Sequence, residues 1–143
     1  MNKTHATPPG TGRGLARLML LCRLVAGGIY IAGGLIPFTH WADLPIPSPW
    51  AGYFLDALVD SDILKVSKAM EIIFGLGLVL NLWVPLSLAM LAPVLFFIAW
   101  VDLYMDPFPL GVLAVCVLVI CHLFLMYMYR DCYRPMLERK VKP

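Results

Sequence analysis

The chain has 143 residues, of which 61% are hydrophobic and 14% are charged. Soluble domains are about 45–50% apolar and about 25% charged, so this composition is typical of a membrane protein. The net charge of +2 excludes the strongly basic balance of a nucleic-acid-binding protein. A membrane helix needs about 20 apolar residues, so several such helices leave no room for a large soluble enzyme domain.

The N-terminal part of the chain predicts a tail, a membrane span and a short surface helix. Residues 1–14 are rich in proline and glycine, which predicts a flexible tail. The apolar run at about 15–37 predicts the first span. Ser48 followed by Pro49 is a typical helix start, and the apolar residues after it recur at helical spacing. We therefore expect a short interfacial helix between the first and second spans.

Three further apolar runs predict spans at about 63–83, 85–104 and 108–129. Ser61 or Asp62 is expected to cap the second span, and the spacing of Gly28 and Ala32 in the first span predicts close helix packing. The predicted fold is an all-α transmembrane four-helix bundle. One membrane domain, residues 15–130, is followed by a basic cytoplasmic tail, residues 131–143.

The distribution of charge predicts the orientation of the chain. Short loops rich in lysine and arginine stay in the cytoplasm, whereas the opposite loops here carry mostly aspartate. Both termini are therefore expected to face the cytoplasm, and a bacterial inner (plasma) membrane is favoured. The basic residues at the two ends are Lys3, Arg13, Arg17 and Arg23, then Arg130, Arg134, Arg139, Lys140 and Lys142.

Ionisable residues inside apolar runs are costly and are candidate functional residues. Lys68 and Glu71 are three residues apart on one helical face, and His40 and Asp102 are expected at a similar depth. This outer polar layer has three interpretations. It binds a polar headgroup, it passes protons, or its charges neutralise one another and fix the register of the helices.

Arg23 and His122 form a predicted inner polar pair, nearer the cytoplasmic side. Arg23 either extends its guanidinium to the lipid headgroups or bonds His122 across the bundle. The residues between the two polar layers are mostly apolar, so a dry middle is expected. No second histidine stands at metal-ligand spacing and no catalytic triad or C-x-x-C pair is visible, so we expect neither a metal site nor catalytic residues.

The residues assembled above resemble the DoxX-like family of small four-helix integral membrane proteins. The resemblance covers residues 23–137 and lies in segments that keep their order along the chain. The segments are GGLIPFTHW, LPIPSPWAGYFLDAL, LKVSKAMEIIFGLGLVLNLWVPLSLAMLAPV, LYMDP and YRDCYRPML. The chain departs from the family pattern at three positions, since relatives tend to have histidine in place of Asp102, asparagine near Phe97 and glutamate in place of His122.

The resemblance implies an inner-membrane protein associated with respiratory or with thiol and sulfur redox systems. Some relatives are subunits of quinone-linked oxidoreductases, so the resemblance makes quinone the candidate cofactor and redox-complex subunits the candidate partners. On this reading the chain is at most a membrane subunit of an oxidoreductase. We expect it to contact membrane lipid and to be able to form homo-oligomers.

Two other functions remain open from the sequence. The same charged residues would line a path in a small-molecule or proton transporter or permeability factor, although a conducting path needs polar residues from one membrane face to the other. In a structural assembly partner with no ligand, the polar layer would be fully self-paired.

Overall fold

The computed structural model describes residues 12–39, 49–105, 107 and 109–137, and these residues form helices and no strand. The predicted all-α class is therefore confirmed. In chain order the elements are α1 (Arg13–Thr39), α2 (Pro49–Asp60), α3 (Ile63–Val79), α4 (Val84–Trp100), a π-helical turn (Val101–Met105), α5 (Pro109–Met128) and α6 (Arg130–Leu137).

Three helical segments are long and apolar enough to cross a membrane. They are Arg13–Ile36 in α1, Val84–Met105 in α4 and the π turn, and Pro109–Met128 in α5. Many of their large apolar side chains point outward, where contact with water would be unfavourable by about 25 cal/mol for each Å². The structure thus supports the membrane-protein class expected from composition.

The second predicted span, residues 63–83, corresponds to the shorter helix α3. α3 has 17 residues, so at about 1.5 Å per residue it is roughly 25 Å long, less than a hydrocarbon core of about 30 Å. It is not among the three segments that meet the length criterion for a membrane span. The structure therefore gives three candidate membrane spans where the sequence predicted four.

α3 ends at Val79 because the turn after it satisfies its last carbonyl groups. Asn81 adopts a left-handed backbone conformation with φ 58°. The N–H of Asn81 donates to the Leu78 carbonyl at 3.3 Å, and the N–H of Leu82 donates to the Gly77 carbonyl at 2.8 Å. This pair of bonds is a Schellman motif, and asparagine is one of the few residues that tolerate its left-handed position.

Helices α1, α3, α4 and α5 share one hydrophobic core. α1 and α4 each pack against both α3 and α5, so the four helices follow one another around the core. The polar side chains on the inner faces of these helices are consequently enclosed by leucine-rich surfaces. The fully buried core residues include Ala26 and Tyr30 of α1, Leu78 of α3, Leu88 and Leu91 of α4, and Leu118 and Leu125 of α5.

Glycines bring α1 and α3 into close contact. A methyl group on Gly34 would lie 2.7 Å from the Ile72 side chain and 3.0 Å from the Lys68 backbone carbonyl. A methyl group on Gly27 would lie 2.9 Å from a backbone carbonyl of α3. Gly28, which the sequence pattern placed at a helix contact, has nothing within 4 Å of that position. The contact uses Gly27 and Gly34, seven residues apart on one face of the helix, and Gly28 lies about 100° away.

The helix predicted after Ser48 is α2, which begins at Pro49 and packs against α3 and the π turn. Ser48 itself lies outside the described residues. Asp62 stands at the N-cap of α3 as expected, but it makes no side-chain capping bond and instead pairs with Lys65 at 2.6 Å. Ser61 donates backward to the Ala57 carbonyl at 2.7 Å, so it closes α2 and does not cap α3.

Helical structure extends into both predicted tails. α1 starts at Arg13, inside the predicted tail 1–14, and α6 occupies the first part of the predicted tail 131–143. The Tyr133 hydroxyl of α6 donates to the Pro85 carbonyl at 2.6 Å, which ties α6 to the start of α4. Burial, with smaller contributions from neighbouring ionisable groups, raises the pKa of Tyr133 to about 12.

Candidate functional site

Lys68 and Glu71 form an ion pair on α3, as the spacing in the sequence predicted. The Lys68 Nζ lies 2.9 Å from Glu71 Oε1 and 3.0 Å from Glu71 Oε2, so both carboxylate oxygens accept from the ammonium group. The Glu71 side chain is 1% exposed and the Lys68 side chain 12% exposed. The carboxylate is therefore enclosed, whereas the ammonium group lies at the edge of the enclosed region.

The close contact between α1 and α3 makes room for the Glu71 carboxylate. A methyl group on Gly33 would lie 3.3 Å from Glu71 Oε2, so the carboxylate rests against the backbone of α1 at that glycine. Because any larger residue at position 33 would press on the carboxylate, the glycines of α1 do more than set the distance between helices. They define one wall of the site.

Asp102 adds a second carboxylate to the outer layer. It lies on the π-helical turn that continues α4, and its carboxylate packs near Gly111 of α5, where a methyl group would lie 3.7 Å from Cγ. Asp102 also interacts electrostatically with Glu71, as like charges do when they are close. Single π turns inside α-helices are frequent at functional sites. The structure thus brings together Lys68, Glu71 and Asp102, and His40 lies outside the described residues.

Arg23 binds the C-terminal end of α3. Its Nε donates to the Leu78 backbone carbonyl at 3.1 Å and its Nη1 donates to Asn81 Oδ1 at 2.6 Å. The last carbonyls of a helix lack partners within the helix and carry a partial negative charge, so an arginine is well matched to this position. Arg23 is therefore used to hold the α3–α4 turn against α1.

His122 has a different partner from the one expected. Its Nδ1 lies 3.1 Å from the Tyr30 hydroxyl of α1, and both side chains are 1% exposed. The two predicted inner residues, Arg23 and His122, do not bond each other. The reason is that Arg23 finds acceptors at the end of α3, while His122 faces Tyr30, seven residues further along α1.

The second ring nitrogen of His122, Nε2, is buried and has no hydrogen-bond partner in the described part of the chain. The Leu88 backbone carbonyl is close to the ring, but it does not meet Nε2 with hydrogen-bond geometry. The Tyr30 hydroxyl donates to Nδ1 when the ring hydrogen is on Nε2, and it accepts from Nδ1–H when the hydrogen is on Nδ1.

Tyr30 is the site residue that sequence reasoning missed. Its hydroxyl is hydrogen-bonded to His122 of the inner layer, and it interacts electrostatically with Glu71 of the outer layer. Tyr30 therefore lies between the two predicted polar layers. The level that was expected to be dry therefore contains a hydroxyl group. A signal was present in the sequence, since Tyr30 is a polar aromatic residue in the middle of an apolar run and lies one turn from Gly33.

The described side chains of the site are acids and bases. Within the described ranges, no three histidine, cysteine, aspartate or glutamate side chains come together as a metal ion would require. Lys68, Glu71 and Asp102 offer a hydrogen-bond donor beside acceptors, and Tyr30 and His122 extend this group into the core. These side chains are suited to hydrogen bonding with a polar headgroup and to binding or releasing protons.

Comparison of the chain with known protein families, with characterised proteins and with solved structures gives no match.

Proposed function

We propose that the chain is a DoxX-like inner-membrane protein with four spans and cytoplasmic termini, which supports a respiratory or thiol and sulfur redox complex as a membrane subunit. In this proposal Lys68 and Glu71 accept a quinone-like headgroup. The observation that carries the proposal is the ion pair itself, since a carboxylate 1% exposed on a helix among membrane-length helices is costly to maintain.

The packing of α3 supports its assignment as the fourth span. α3 contacts α1 along a face that runs from Gly34 beside Lys68 to Gly27 beside Gly75, and it contacts α4 where Gly77 meets Ser87. Lengthwise packing of α3 against two segments of membrane length supports a position within the bilayer beside them. The four-residue turn between α3 and α4 then reverses the chain at one membrane face.

The chemistry of the outer layer fits a quinone headgroup. An ammonium group donates to the carbonyl oxygens of a quinone, and a carboxylate accepts from the hydroxyl groups of the reduced form. Lys68, the more exposed member of the pair, is the group that a headgroup arriving from the lipid would meet first. Glu71 then provides the acceptor behind it.

The test is direct binding of a short-chain benzoquinone to the purified chain in lipid nanodiscs. Tryptophan fluorescence quenching and equilibrium dialysis each give a Kd, and empty nanodiscs measure partition into lipid. We expect Glu71→Gln and Lys68→Met to weaken binding at least tenfold, about 1.4 kcal/mol. Asp62 and Lys65 form an exposed ion pair with the same spacing, so Asp62→Asn and Lys65→Met are matched controls that should leave the Kd within about twofold.

Two outcomes would contradict the proposed function. Equal quinone uptake by protein-containing and empty nanodiscs would show that the chain does not bind quinone. Equal Kd values for Glu71→Gln and Asp62→Asn would show that Glu71 is not part of the binding site. In isolated membranes, loss of protein abundance in Glu71→Gln in proportion to any loss of quinone-dependent turnover would favour a structural ion pair.

One observation favours transport as a second candidate function. Tyr30, bonded to His122 of the predicted inner layer, places a hydroxyl group at a level that the sequence predicted to be apolar, which shortens the dry part of any path between the two membrane faces. Proton or solute flux across proteoliposomes above the level of empty vesicles would favour this second function.

A further inference from the structure

The Glu71 carboxylate lies in a place where a negative charge is stable only beside a cation. Its side chain is 1% exposed, and its Oε2 rests against the backbone of α1 at Gly33. An enclosed carboxylate without compensation is strongly unfavourable, and such a group takes up a proton and becomes neutral. The charge state of Glu71 therefore depends on the groups around it.

The charged and titratable groups that act on this carboxylate come from α3, the π turn and α1. Lys68 of α3 donates to both carboxylate oxygens, at 2.9 and 3.0 Å. Asp102 of the π turn acts on Glu71 as a like charge, and Tyr30 of α1 interacts with it electrostatically. Among these groups, Lys68 is the one that stabilises the ionised carboxylate, whereas the negative charge of Asp102 disfavours it.

The other two helices packed against α3, which are α2 and α4, add no cation within their described ranges. α4 contains no ionisable residue. The ionisable residues of α2 are Tyr53, Asp56 and Asp60, and the two aspartates carry charge of the same sign as the Glu71 carboxylate. On α3 itself, Lys65 is exposed and paired with Asp62. None of these groups replaces Lys68 as the partner of Glu71.

Lys68 is also the member of the pair that a ligand can move. Its side chain is 12% exposed, so its ammonium group lies at the edge of the enclosed region. A ligand oxygen that accepts hydrogen bonds from this ammonium group draws Nζ away from the carboxylate. The same displacement removes the compensating charge and uncovers the side of the carboxylate that Lys68 had occupied.

We propose that Glu71 is a proton-binding site controlled by Lys68, so that a headgroup whose oxygens take over the Lys68 hydrogen bonds is bound together with one proton. An O–H bond forms on the Glu71 carboxylate, the proton comes from water, and no covalent bond of the chain or of the ligand breaks. This inference rests on the proposed function for the event that moves Lys68, but the proton-binding site is testable without a ligand.

The test uses the small number of glutamates in the chain, which are Glu71 and Glu138. In the full chain in nanodiscs, labelled with ¹³C at glutamate Cδ, the chemical shift reports whether each carboxyl group is ionised, and Glu71→Gln assigns the two resonances. Lys68→Met removes the ammonium group permanently. We expect the ratio of acid to carboxylate at Glu71 to be at least about tenfold higher in Lys68→Met than in the wild type at pH 7.

Lys65→Met is the matched control, because it removes a positive charge from an exposed pair of the same spacing, and it should leave the Glu71 ratio unchanged. Two results would overturn the proposal. One is a Glu71 that stays as ionised in Lys68→Met as in the wild type. The other is a Glu71 that is already protonated at pH 7 in the wild type, since Lys68 would then not control the site. If Lys68→Met does not fold, Lys68→Gln removes the charge but keeps a neutral hydrogen-bond donor, and the same increase is expected.

A second experiment measures the coupling to a ligand. Calorimetric binding of a short-chain benzoquinone in buffers of different ionisation enthalpy gives the number of protons taken up. We expect about one proton per bound quinone at pH 7 in the wild type and none in Glu71→Gln at concentrations that saturate its weaker binding. Quinone binding without proton uptake would overturn this inference and leave the proposed function intact. An absence of quinone binding, with a Glu71 that responds to Lys68→Met, would remove the proposed ligand alone.

Discussion

Two cationic side chains, Arg23 and Lys68, donate hydrogen bonds to groups of α3 and of the turn after it, and their acceptors differ. Arg23 reaches the C-terminal end of α3 from α1 and donates to neutral acceptors, the Leu78 carbonyl and the Asn81 side chain. Lys68 lies within α3 and donates to a carboxylate that is almost fully enclosed. The comparison shows that a charged residue in a membrane segment is not by itself a sign of a ligand site. The chemistry of its partner distinguishes a residue that fastens a turn from one that holds a titratable acid.

The largest effect is expected on removing the Lys68 ammonium group. Lys68→Met leaves the Glu71 carboxylate buried without its partner, so we expect a loss of about 3–5 kcal/mol in the free energy of unfolding. Equilibrium unfolding in mixed detergent micelles measures it. Lys65→Met, which breaks an exposed pair of the same spacing, should cost less than about 1 kcal/mol. Equal losses in the two variants would contradict the distinction.

The next largest effect is expected at the close contact between α1 and α3 beside Lys68. In Gly34→Ala the new methyl group meets the Ile72 side chain at 2.7 Å and the Lys68 backbone carbonyl at 3.0 Å, so α1 and α3 must separate. We expect a loss of about 1–3 kcal/mol, measured by the same unfolding experiment. Gly28→Ala is the control, because nothing lies within 4 Å of its methyl position. A Gly28→Ala loss as large as that of Gly34→Ala would exclude helix separation as the cause.

The Arg23 end should respond more weakly. Arg23→Met removes two charge-assisted bonds at a partly buried position, and we expect a loss of about 1.5 kcal/mol. Asn81→Gly keeps the left-handed turn and removes one of these bonds, so its loss should be about 0.5–1 kcal/mol. A double-mutant cycle measures the coupling between them. Purely additive losses would show that the 2.6 Å contact contributes nothing to stability.

The smallest effect concerns α6, which binds α4 without any charge. Tyr133→Phe removes the bond to the Pro85 carbonyl and should cost about 1 kcal/mol below pH 10. The pKa of Tyr133 is raised from 10.0 to about 12, so between these values the unfolded chain loses its proton while the folded chain keeps it. Wild-type stability should therefore fall over this range relative to Tyr133→Phe, in a pH series of unfolding curves. A constant difference between the two proteins up to pH 12 would contradict the burial of the hydroxyl.

The sequence was most informative where one local property decides the structure. Composition and apolar runs predicted an all-helical membrane protein, and the three-residue spacing of Lys68 and Glu71 predicted their contact. It was less informative where packing between helices decides. Arg23 and His122 were placed together by depth alone, whereas Arg23 binds acceptors at the C-terminal end of α3 and His122 binds Tyr30 of α1.

The same limit explains why Tyr30 was missed and why the second span was predicted too long. A tyrosine in an apolar run has no periodic signal that shows which way its hydroxyl points. Asn81 ends α3 through a backbone conformation and two main-chain bonds that hydropathy does not report. Hydropathy therefore located the apolar stretch correctly and placed its last helical residue four positions too late.

The π-helical turn at Val101–Met105 has a consequence for how the outer site tolerates changes in chain length. A π turn holds one more residue than an α-helical turn, so deleting a single residue there would let α4 continue as regular helix. Such a deletion would preserve a hydrophobic rod of almost the same length while re-aiming the Asp102 side chain. Loss of one codon in this stretch should therefore affect insertion into the bilayer less than it affects the position of the Asp102 carboxylate in the site.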